Sequence, residues 1–338
     1  MVYVVKVKAK DANETIKYLK EKKFVNNEYK ISKNENYVFI PIIDKFNNKK
    51  EILDKFIVKN IELDKIEKSP KSLSDALKKI NPNLTDEKYT KSYDQIGDIA
   101  IIDIDKDMIK YEKEIGMAIL NSNKSVKTVF RKSKKVSGML RLRGLSHIGG
   151  EYKTKTLHKE YGLSLVVDVE NTYFSPRLAT EHNRIANKIK ENSEILDLFC
   201  SLAPFGFHIA NDKNCHIDCI DINPIAIEMV KESLIKNKLV GSLNPICIDA
   251  SEFLLKNNKK YDYIIMNHPS GAFDFLERVG TKFEKGTSIF YYDFVKIKNY
   301  EKNIKEKLKT INFDIENIHI VRQSSPSEYH ICVEGKLN

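Results

Sequence analysis

The chain has 338 residues, of which 41% are hydrophobic, and this is enough for two or three domains with substantial cores. Its five cysteines include no C-x-x-C pair, which argues against a disulfide framework or a zinc ribbon and favours a reducing compartment. Cys215 and Cys219 flank His216, but small residues around a strand account for that spacing better than a metal site does. We therefore expect no metal.

The sequence contains no apolar run of the roughly 18 residues that a membrane span requires. Its first ten residues, MVYVVKVKAK, predict a strand rather than a signal peptide, so we expect a cytoplasmic protein without a membrane partner. Nothing in the sequence demands a dimer, and we expect a monomer. The net charge of +10 suggests a polyanionic partner, although in a chain rich in Lys, Asn and Ile this is weak evidence.

The first module extends to about residue 66 and alternates strands with helices. VYVVKVKAK and NYVFIPII predict strands, and NETIKYLKEKKF has the apolar spacing of a helix. A polar segment with two prolines, KSPKSLSDALKKINPNLTDEKYTKS, follows and marks a domain boundary. We expect an N-terminal α+β domain over residues 1–66.

The middle module, residues 67–168, carries a concentration of positive charge. DQIGDIAIIDI predicts a buried strand and KYEKEIGMAILN a helix. Residues 121–150 contain eight basic residues, no Asp or Glu, and Phe130 among them. A solvated face normally mixes the two signs of charge, so this stretch predicts a surface that contacts nucleic-acid phosphates. The eight basic residues are Lys124, Lys127, Arg131, Lys132, Lys134, Lys135, Arg141 and Arg143.

From residue 169 onwards the chain alternates between helix and strand. ATEHNRIANKI and PIAIEMVKESLIKNKL have helical periodicity, whereas EILDLF, CHIDCIDI, NPICID and YDYIIMN predict strands. This alternation predicts a mostly parallel, doubly wound α/β sheet over residues 169–338. Ligands of such sheets bind beyond the carboxyl ends of the strands, where the strand order switches direction.

Three carboxylates follow successive strands of this predicted sheet. Asp197 is expected to face the crevice, Asp221 to accept hydrogen bonds from ribose hydroxyls, and Asp249 to accept one from an adenine amine. Any one of them alone is more often a helix cap or turn residue. Together they suit an adenosine that bears a cation, as in S-adenosylmethionine, better than a pyrophosphate, which needs glycine-rich backbone donors. Asn223 and Pro224 predict the start of the next helix.

Two further segments predict the reactive half of the site. Asn267 and Pro269 form an Asn-x-Pro turn after the fourth strand, whose carbonyls and amide can hydrogen-bond a flat nucleobase. The same residues are as readily an ordinary turn. Tyr173 supplies an aromatic surface, and the carboxylate of Glu181 can take a proton from a ring nitrogen. Without that context, an ion pair with a neighbouring arginine is the simpler interpretation of Glu181.

The sequence resembles the archaeal and eukaryotic family of tRNA (guanine-N1)-methyltransferases, which act on guanosine 37 beside the anticodon with S-adenosylmethionine. The resemblance covers nearly the whole chain and is carried by RLRGLSHIGGE, TLHKEYG, DVENTYFSPRLATEHNRI, LDLFCSLAPFGFHIA, IDINPIAIE, MNHP and SSPSEYHI. The stretch YFSPRLATEHNRI is the most specific of these. The resemblance implies a class I methyltransferase (Rossmann-like) catalytic domain with two smaller α+β domains N-terminal to it, the first docking on the tRNA.

The resemblance also implies roles for individual residues. Glu181 would be the general base for the ring N–H, and Arg141 would stabilise the negative charge that develops on the guanine oxygen. Since an amide-like N–H is a poor nucleophile until its proton leaves, this is a displacement that needs no metal. We expect guanine or tRNA binding by Tyr173, Asn267, Pro269, Arg143, Lys132 and Lys135. We expect cofactor binding by Asp197, Phe199, Ser201, Ala203, Asp221, Ile222, Asp249, Ala250 and Asn267.

Two segments depart from the family pattern. Relatives usually have F-A-G-V-G-P-F where this chain has FCSLAPF at 199–205, and an N-L-P-like motif where it has NHP at 267–269. Ser201 and Ala203 replace glycines at little cost if their φ angles are negative, but at more than about 1 kcal/mol if φ must be positive. Because Ser and Ala are the smallest replacements, we expect a working cofactor site, weaker or reshaped.

Three alternatives stay open on the sequence alone. The base could be a tricyclic wyosine precursor, alone or in addition to guanosine, and His268 and the altered turn are where such a change would show. The reaction could be methylation of an exocyclic amine, which would use Asn267 and Pro269 without Glu181. The chain could also be a tRNA-binding module without cofactor, but the presence of Glu181, Arg141 and all three Asp residues speaks against this.

Overall fold

The chain folds into two compact units, residues 1–70 and 71–338. The structure is a computed structural model that describes residues 1–65, 70, 72–84, 92–137 and 142–337, with side chains for all of these except 134–137, 143 and 281. Among the helices of these ranges, none combines the length and the apolar character that crossing a bilayer requires. The further domain boundary expected at residue 168 stays a prediction.

The first unit is built on an antiparallel sheet. Its strands β1 (Val2–Lys8), β2 (Ser32–Lys33), β3 (Tyr37–Pro41) and β4 (Ile57–Ile61) lie in the order β2-β3-β1-β4, with helices α1 (Ala12–Glu21) and α2 (Lys50–Leu53). Val5 and Val7 of β1 point to one face because strand side chains alternate, and they share a buried cluster with Leu19 of α1 and Ile52 of α2. Both helices therefore pack on one face of the sheet.

The second unit begins with a four-stranded mixed sheet. Strands β5 (Tyr93–Ile96), β6 (Ile99–Ile102), β7 (Thr128–Ser137) and β8 (Leu142–Gly150) lie in this order, and helices α3 (Leu73–Ile80) and α4 (Glu112–Ser122) share a buried core with them. The single strand predicted over residues 94–104 is wrong. Gly97 has φ of +55°, and the chain turns there into a second strand.

The C-terminal part of this unit contains a hairpin and a seven-stranded sheet. The hairpin pairs β9 (Lys155–Glu160) with β10 (Leu163–Asp168). The large sheet has the order β13-β12-β11-β14-β15-β17-β16, and β17 runs antiparallel to the other six strands. Its strands are β11 (Glu194–Leu198), β12 (His216–Asp221), β13 (Ser242–Cys247), β14 (Tyr263–Met266), β15 (Ser288–Lys296), β16 (Phe313–Ser325) and β17 (Glu328–Leu337).

Helices cover both faces of the large sheet. They are α5 (Ala179–Lys188), α6 (Pro204–Asp212), α7 (Pro224–Lys236), α8 (Ala250–Lys256), α9 (Ala272–Val279) and α10 (Tyr300–Lys309). One buried cluster holds Ile195 together with residues of α5, α6 and α7, and the other holds Leu196 and Leu198 with residues of α8, α9 and α10. The predicted class I methyltransferase fold is confirmed. The alternation continues after β14, with α9 before β15 and α10 before β16.

A buried carboxylate joins the hairpin to the helices of the large sheet. Glu160 of β9 accepts hydrogen bonds on Oε1 from His182 Nδ1 of α5 and from His208 Nε2 of α6, each 2.7 Å long. The three side chains are each 2% exposed. Two ligands of one tetrahedral zinc ion lie about 3.3 Å apart, so these shorter distances are those of hydrogen bonds.

We expect acid to weaken this cluster. Burial lowers the pKa of His182 below its ordinary value of 6.5. Burial opposes the charge of Glu160, but the imidazoles of His158, His182 and His208 lower the pKa of this carboxyl far below its ordinary value. Below pH 6.5 the unfolded chain therefore binds more protons at His182 than the folded chain does, and below pH 4.5 the same holds at Glu160. The free energy of unfolding should fall as the pH falls through these windows.

The variant His182→Gln tests the first window, because glutamine donates to Glu160 without titrating. Between pH 7 and 5.5 it should lose about 1 kcal/mol less unfolding free energy than the wild type does. Urea denaturation at both pH values measures this difference. His216→Gln is the matched control, since the His216 side chain is 40% exposed and should leave the wild-type pH dependence in place. Parallel curves for the wild type and His182→Gln would contradict the expectation.

Candidate active site

A cavity lies at the carboxyl ends of the parallel strands of the large sheet. β11 pairs in parallel with β12 on one side and with β14 on the other, so the strand order switches direction at β11. Such a switch point is where doubly wound sheets bind ligands. The cavity is lined by Tyr173, Phe199, Ser201, Ile220, Asp221, Ile222, Asn223, Ile248, Asp249, Ala250, Asn267 and His268. It thus brings together most of the residues that the sequence analysis assigned to cofactor and base.

The carboxylate of Asp221 connects two segments of the cavity wall. Its Oδ2 accepts a hydrogen bond from the backbone N–H of Ser201 at 2.7 Å, and its Oδ1 accepts one from the backbone N–H of Asn223 at 2.8 Å. Burial nevertheless raises the pKa of this carboxyl above its ordinary value. Because each carboxylate oxygen has a second lone pair, Asp221 can hold both segments and still accept bonds from ligand hydroxyls.

Two other polar residues of the wall are helix caps. Asn223 accepts hydrogen bonds on Oδ1 from the backbone N–H groups two and three residues later, at 3.0 and 3.4 Å, and Pro224 is the first residue of α7. The predicted start of this helix is confirmed. Asp249 caps α8 in the same manner, with bonds of 2.9 and 3.1 Å to Oδ1. These bonds use only Oδ1, so Oδ2 of Asp249 is available to an adenine amine.

Asp197 does not line the cavity, so the expectation that its carboxylate faces the crevice is wrong. Side chains alternate along β11, and Asp197 falls on the face of Ile195 instead. Its side chain is buried, with the residue 1% exposed, and neither oxygen has a hydrogen-bond partner. Burial, together with the nearby charge of Asp221, raises the pKa of Asp197 well above its ordinary value. Burial thus disfavours the charged form of this carboxyl group.

The turn after β11 takes the backbone conformation that the lost glycines would favour. Ser201 has φ of 49° and Ala203 has φ of 50°, both in the left-handed region. Ser201 offsets this strain with two hydrogen bonds, since its N–H donates to Asp221 and its Oγ donates to the carbonyl oxygen of Tyr173 at 2.6 Å. Ala203 is fully buried at the start of α6 and its methyl side chain makes no such bond. Both replacements therefore carry the cost of a positive φ, more than about 1 kcal/mol each.

We expect Ala203→Gly to stabilise the protein, because glycine adopts this left-handed conformation without a Cβ clash. The free energy of unfolding should rise by about 0.5–1 kcal/mol, measured by urea denaturation. Ala210→Gly is the matched control, since Ala210 is equally buried but lies within α6, where glycine should destabilise by about 1 kcal/mol. A fall in unfolding free energy for Ala203→Gly would show that the turn is unstrained.

The carboxylate of Glu181 lies in a buried network on α5 and does not line the cavity. Its two oxygens accept hydrogen bonds from Nε and Nη2 of Arg184, at 2.7 and 2.8 Å, and Oε1 also accepts one from the Tyr292 hydroxyl at 2.7 Å. The ion pair with a neighbouring arginine is thus present. Since Met266 pairs with Tyr291, the next residues Asn267 and Tyr292 lie at the same level of the sheet. Glu181 is therefore bound to the residue of β15 that follows the partner of Met266.

The Asn-x-Pro turn contributes two side chains to the cavity wall. Asn267 and His268 line it, whereas Pro269 is buried outside the lining. The His268 ring lies 4.9 Å from the Phe199 ring, measured between centroids. A Cβ on Gly271 would come within 2.5 Å of the His268 ring, so that glycine makes room for the imidazole.

Three further residues line the cavity but were not predicted from the sequence, namely Asn223, Ile220 and Ile248. Each lies within two positions of Asp221 or Asp249, which were predicted.

Several predicted tRNA contacts fall outside the described structure. Arg141 lies outside the described residues, as do the side chains of Lys135 and Arg143. Lys132 Nζ lies 3.8 Å from Asp94 Oδ2. The same Asp94 accepts a hydrogen bond on Oδ1 from Arg177 Nε at 2.6 Å. In a separate pair, Arg131 Nε donates to Glu112 at 2.7 Å. Asp94 of β5 and Glu112 of α4 thus pair with basic residues of the segment 121–150, which contains no acidic residue of its own.

The cavity suits an adenosine that carries a positive charge. It offers the carboxylates of Asp221 and Asp249 and apolar walls from Ile222 and Ala250, and the buried carboxyl group of Asp197 in β11 has no hydrogen-bond partner among the described residues. Among the described residues, the lining contains neither lysine nor arginine, which a pyrophosphate would need in place of the missing glycine-rich donors. The residues present therefore fit S-adenosylmethionine.

Three segments of the chain match known families. Residues 5–51 match the tRNA methyltransferase 5 N-terminal domain, residues 73–154 the TYW2 N-terminal domain, and residues 156–321 the TRM5/TYW2 methyltransferase domain. The tRNA (guanine(37)-N(1))-methyltransferase Trm5b of Methanocaldococcus jannaschii is 34% identical over 343 residues, which cover 100% of this chain and 99% of the relative.

Two solved structures share the fold over the same extent. The complex of aTrm5 and tRNALeu superposes with a TM-score of 0.74 and 33% identity. Methanocaldococcus jannaschii Trm5 in complex with adenosine superposes with a TM-score of 0.65 and 32% identity. Each match covers 99% of both chains. The chain belongs to the TRM5/TYW2 methyltransferase family.

Proposed function

We propose that this protein transfers a methyl group from S-adenosylmethionine to N1 of guanosine 37 in tRNA. The observation that carries the proposal is the 34% identity to a tRNA (guanine(37)-N(1))-methyltransferase along the whole chain, with a carboxylate-lined cavity at the switch point. Its relatives were solved with adenosine and with tRNALeu, which are the two kinds of ligand that the reaction requires.

The cofactor half of the mechanism rests on the cavity wall. S-adenosylmethionine, when bound, supplies an electrophilic methyl group on its sulfonium. Asp221 accepts hydrogen bonds from the ribose hydroxyls, and Asp249 accepts one from the adenine amine. Phe199, Ile222 and Ala250 exclude water from the adenine ring. Asp197 and Ala203 act from beneath this wall, the first as a carboxyl group near the cation and the second by shaping the turn.

The base half of the mechanism needs the N1 proton to leave before N1 can attack. Tyr173 and Asn267 hold the guanine, and Pro269 fixes the turn that presents Asn267. Glu181 takes the proton from N1, held in orientation by the hydrogen bonds that Arg184 and Tyr292 donate. Arg141 stabilises the negative charge that moves onto the guanine oxygen.

The rest of the chain positions the tRNA. We assign docking to residues 1–66, backbone contact to the middle domain at 67–168, and catalysis to 169–338. Lys132, Lys135 and Arg143 contact phosphates, so binding weakens with salt because cation contacts release counterions. The protein acts as a monomer in the cytoplasm.

The test is methyl transfer from labelled S-adenosylmethionine to a tRNA transcript with guanosine at position 37, followed by nucleoside mass analysis. We expect 1-methylguanosine as the product, and none with the matched transcript that has adenosine there. No product with bound tRNA would contradict the proposal and direct the assay to a tricyclic wyosine precursor at the same position. Failure on both substrates would favour a tRNA-binding module.

The role of Glu181 is tested by Glu181→Gln. Glutamine keeps an acceptor for Tyr292 but cannot take the proton, so the rate of methyl transfer should fall at least about 100-fold while cofactor affinity is unchanged. Single-turnover rates and equilibrium binding of S-adenosylmethionine measure the two quantities.

Glu334→Gln is the matched control for this variant, because Glu334 also binds Arg184 but takes no part in the proposed chemistry. Its rate should stay within about threefold of the wild type, and melting temperatures report the folding of both variants. If the two variants lose the same activity, the arginine network matters and base catalysis by Glu181 is wrong. If Glu181→Gln keeps its activity, an exocyclic amine is the methyl acceptor.

A further inference from the structure

The proposed reaction leaves a proton on a buried carboxylate. The S–C bond of the sulfonium breaks and leaves a thioether, an N1–C bond forms, and the N1 proton moves to Glu181. A protonated Glu181 cannot act as a base again, so this proton must reach solvent before the next turnover. The Glu181 side chain is only 3% exposed, so water does not reach it freely.

Two of the groups that contact Glu181 cannot carry the proton onward. Burial opposes the charge of Arg184, but its hydrogen bonds to Glu181 and Glu334, together with the neighbouring negative charges, raise its pKa. Tyr292 donates to Glu181, and burial raises its pKa well above the ordinary value. Both groups are already protonated near neutral pH and bind no second proton.

One imidazole lies between this carboxylate and solvent. His319 of β16 has its Nε2 3.6 Å from Glu181 Oε2, and its side chain is 39% exposed. The distance is slightly longer than a hydrogen bond, so a small side-chain rotation or one bridging water completes the contact. His319 thus connects a carboxylate that solvent does not reach to the surface of the sheet.

Burial and the neighbouring cations favour the neutral form of the His319 imidazole. The groups that face it are Glu181, Arg184 and Lys188 on α5 and Glu334 on β17. Burial, and after it the charge of Arg184, lowers the pKa of His319 below its ordinary value of 6.5. A neutral imidazole has a free ring nitrogen with which to accept a proton.

We propose that His319 is a positioning residue that relays the proton from Glu181 to solvent between turnovers. The proton moves from Glu181 Oε2 to His319 Nε2, and the other ring nitrogen releases one to water or buffer. This inference rests on the proposed function. It adds a residue that touches neither guanine nor cofactor and acts after the methyl transfer.

The variant His319→Gln separates this step from the chemistry. With excess tRNA in dilute buffer, rapid quenching should show a first turnover within about twofold of the wild type, since the relay acts only after the first methyl transfer. The steady-state rate should fall at least about tenfold, because general acid–base groups contribute factors of this order. Free imidazole at millimolar concentration should restore it, since the side-chain position is open to solvent.

His216→Gln is the matched control, because the His216 side chain is 40% exposed and lies on the different strand β12. It should leave both rates unchanged and respond to no imidazole. An unchanged steady-state rate for His319→Gln would overturn the relay, and so would an equal fall in first and later turnovers, which indicates a structural role. A wild type that makes no methylated product would overturn the proposed function, and the relay with it.

Discussion

The site depends on the carboxylate of Asp221. Its two oxygens hold the backbone of the turn after β11 and the first residues before α7, at 2.7 and 2.8 Å. These bonds help to hold the turn that contains Ser201 and Ala203, whose left-handed conformation is unfavourable for any residue with a Cβ. In the proposed function, the same side chain also accepts hydrogen bonds from ribose hydroxyls. One residue would then both shape the cavity and bind its ligand.

This arrangement shows how a cofactor turn can lose its glycines and keep its shape. At position 201 the serine hydroxyl offsets the strain with a hydrogen bond to the Tyr173 carbonyl, which also ties the turn to the segment that precedes α5. At position 203 the alanine side chain cannot form a hydrogen bond, so nothing in the side chain offsets the strain of the positive φ. Backbone strain of this kind gathers at functional sites, where the surrounding structure holds it.

Most of the sheet could be predicted from the sequence, because its strands are short apolar runs and its helices have clear periodicity. The helix start at Asn223 followed in the same manner from local chemistry. What could not be predicted depends on facts that a single sequence does not contain. The φ angles at 201 and 203, the face of β11 on which Asp197 lies, and the acids that reach Arg131 and Lys132 are set by tertiary packing. Likewise, only the folded chain reveals that Glu181 is bound by both Arg184 and Tyr292.

The bonds of Glu160 bear on how this protein can be dissected. A fragment that starts at residue 169 would keep every strand of the large sheet yet lose the hairpin that precedes it. His182 and His208 would then be left without their shared acceptor, and the apolar residues Leu165 and Val167 would no longer cover the cluster to which they belong. The sequence pattern changes at residue 169, but the smallest independently folding piece that contains the large sheet should start earlier, before β9.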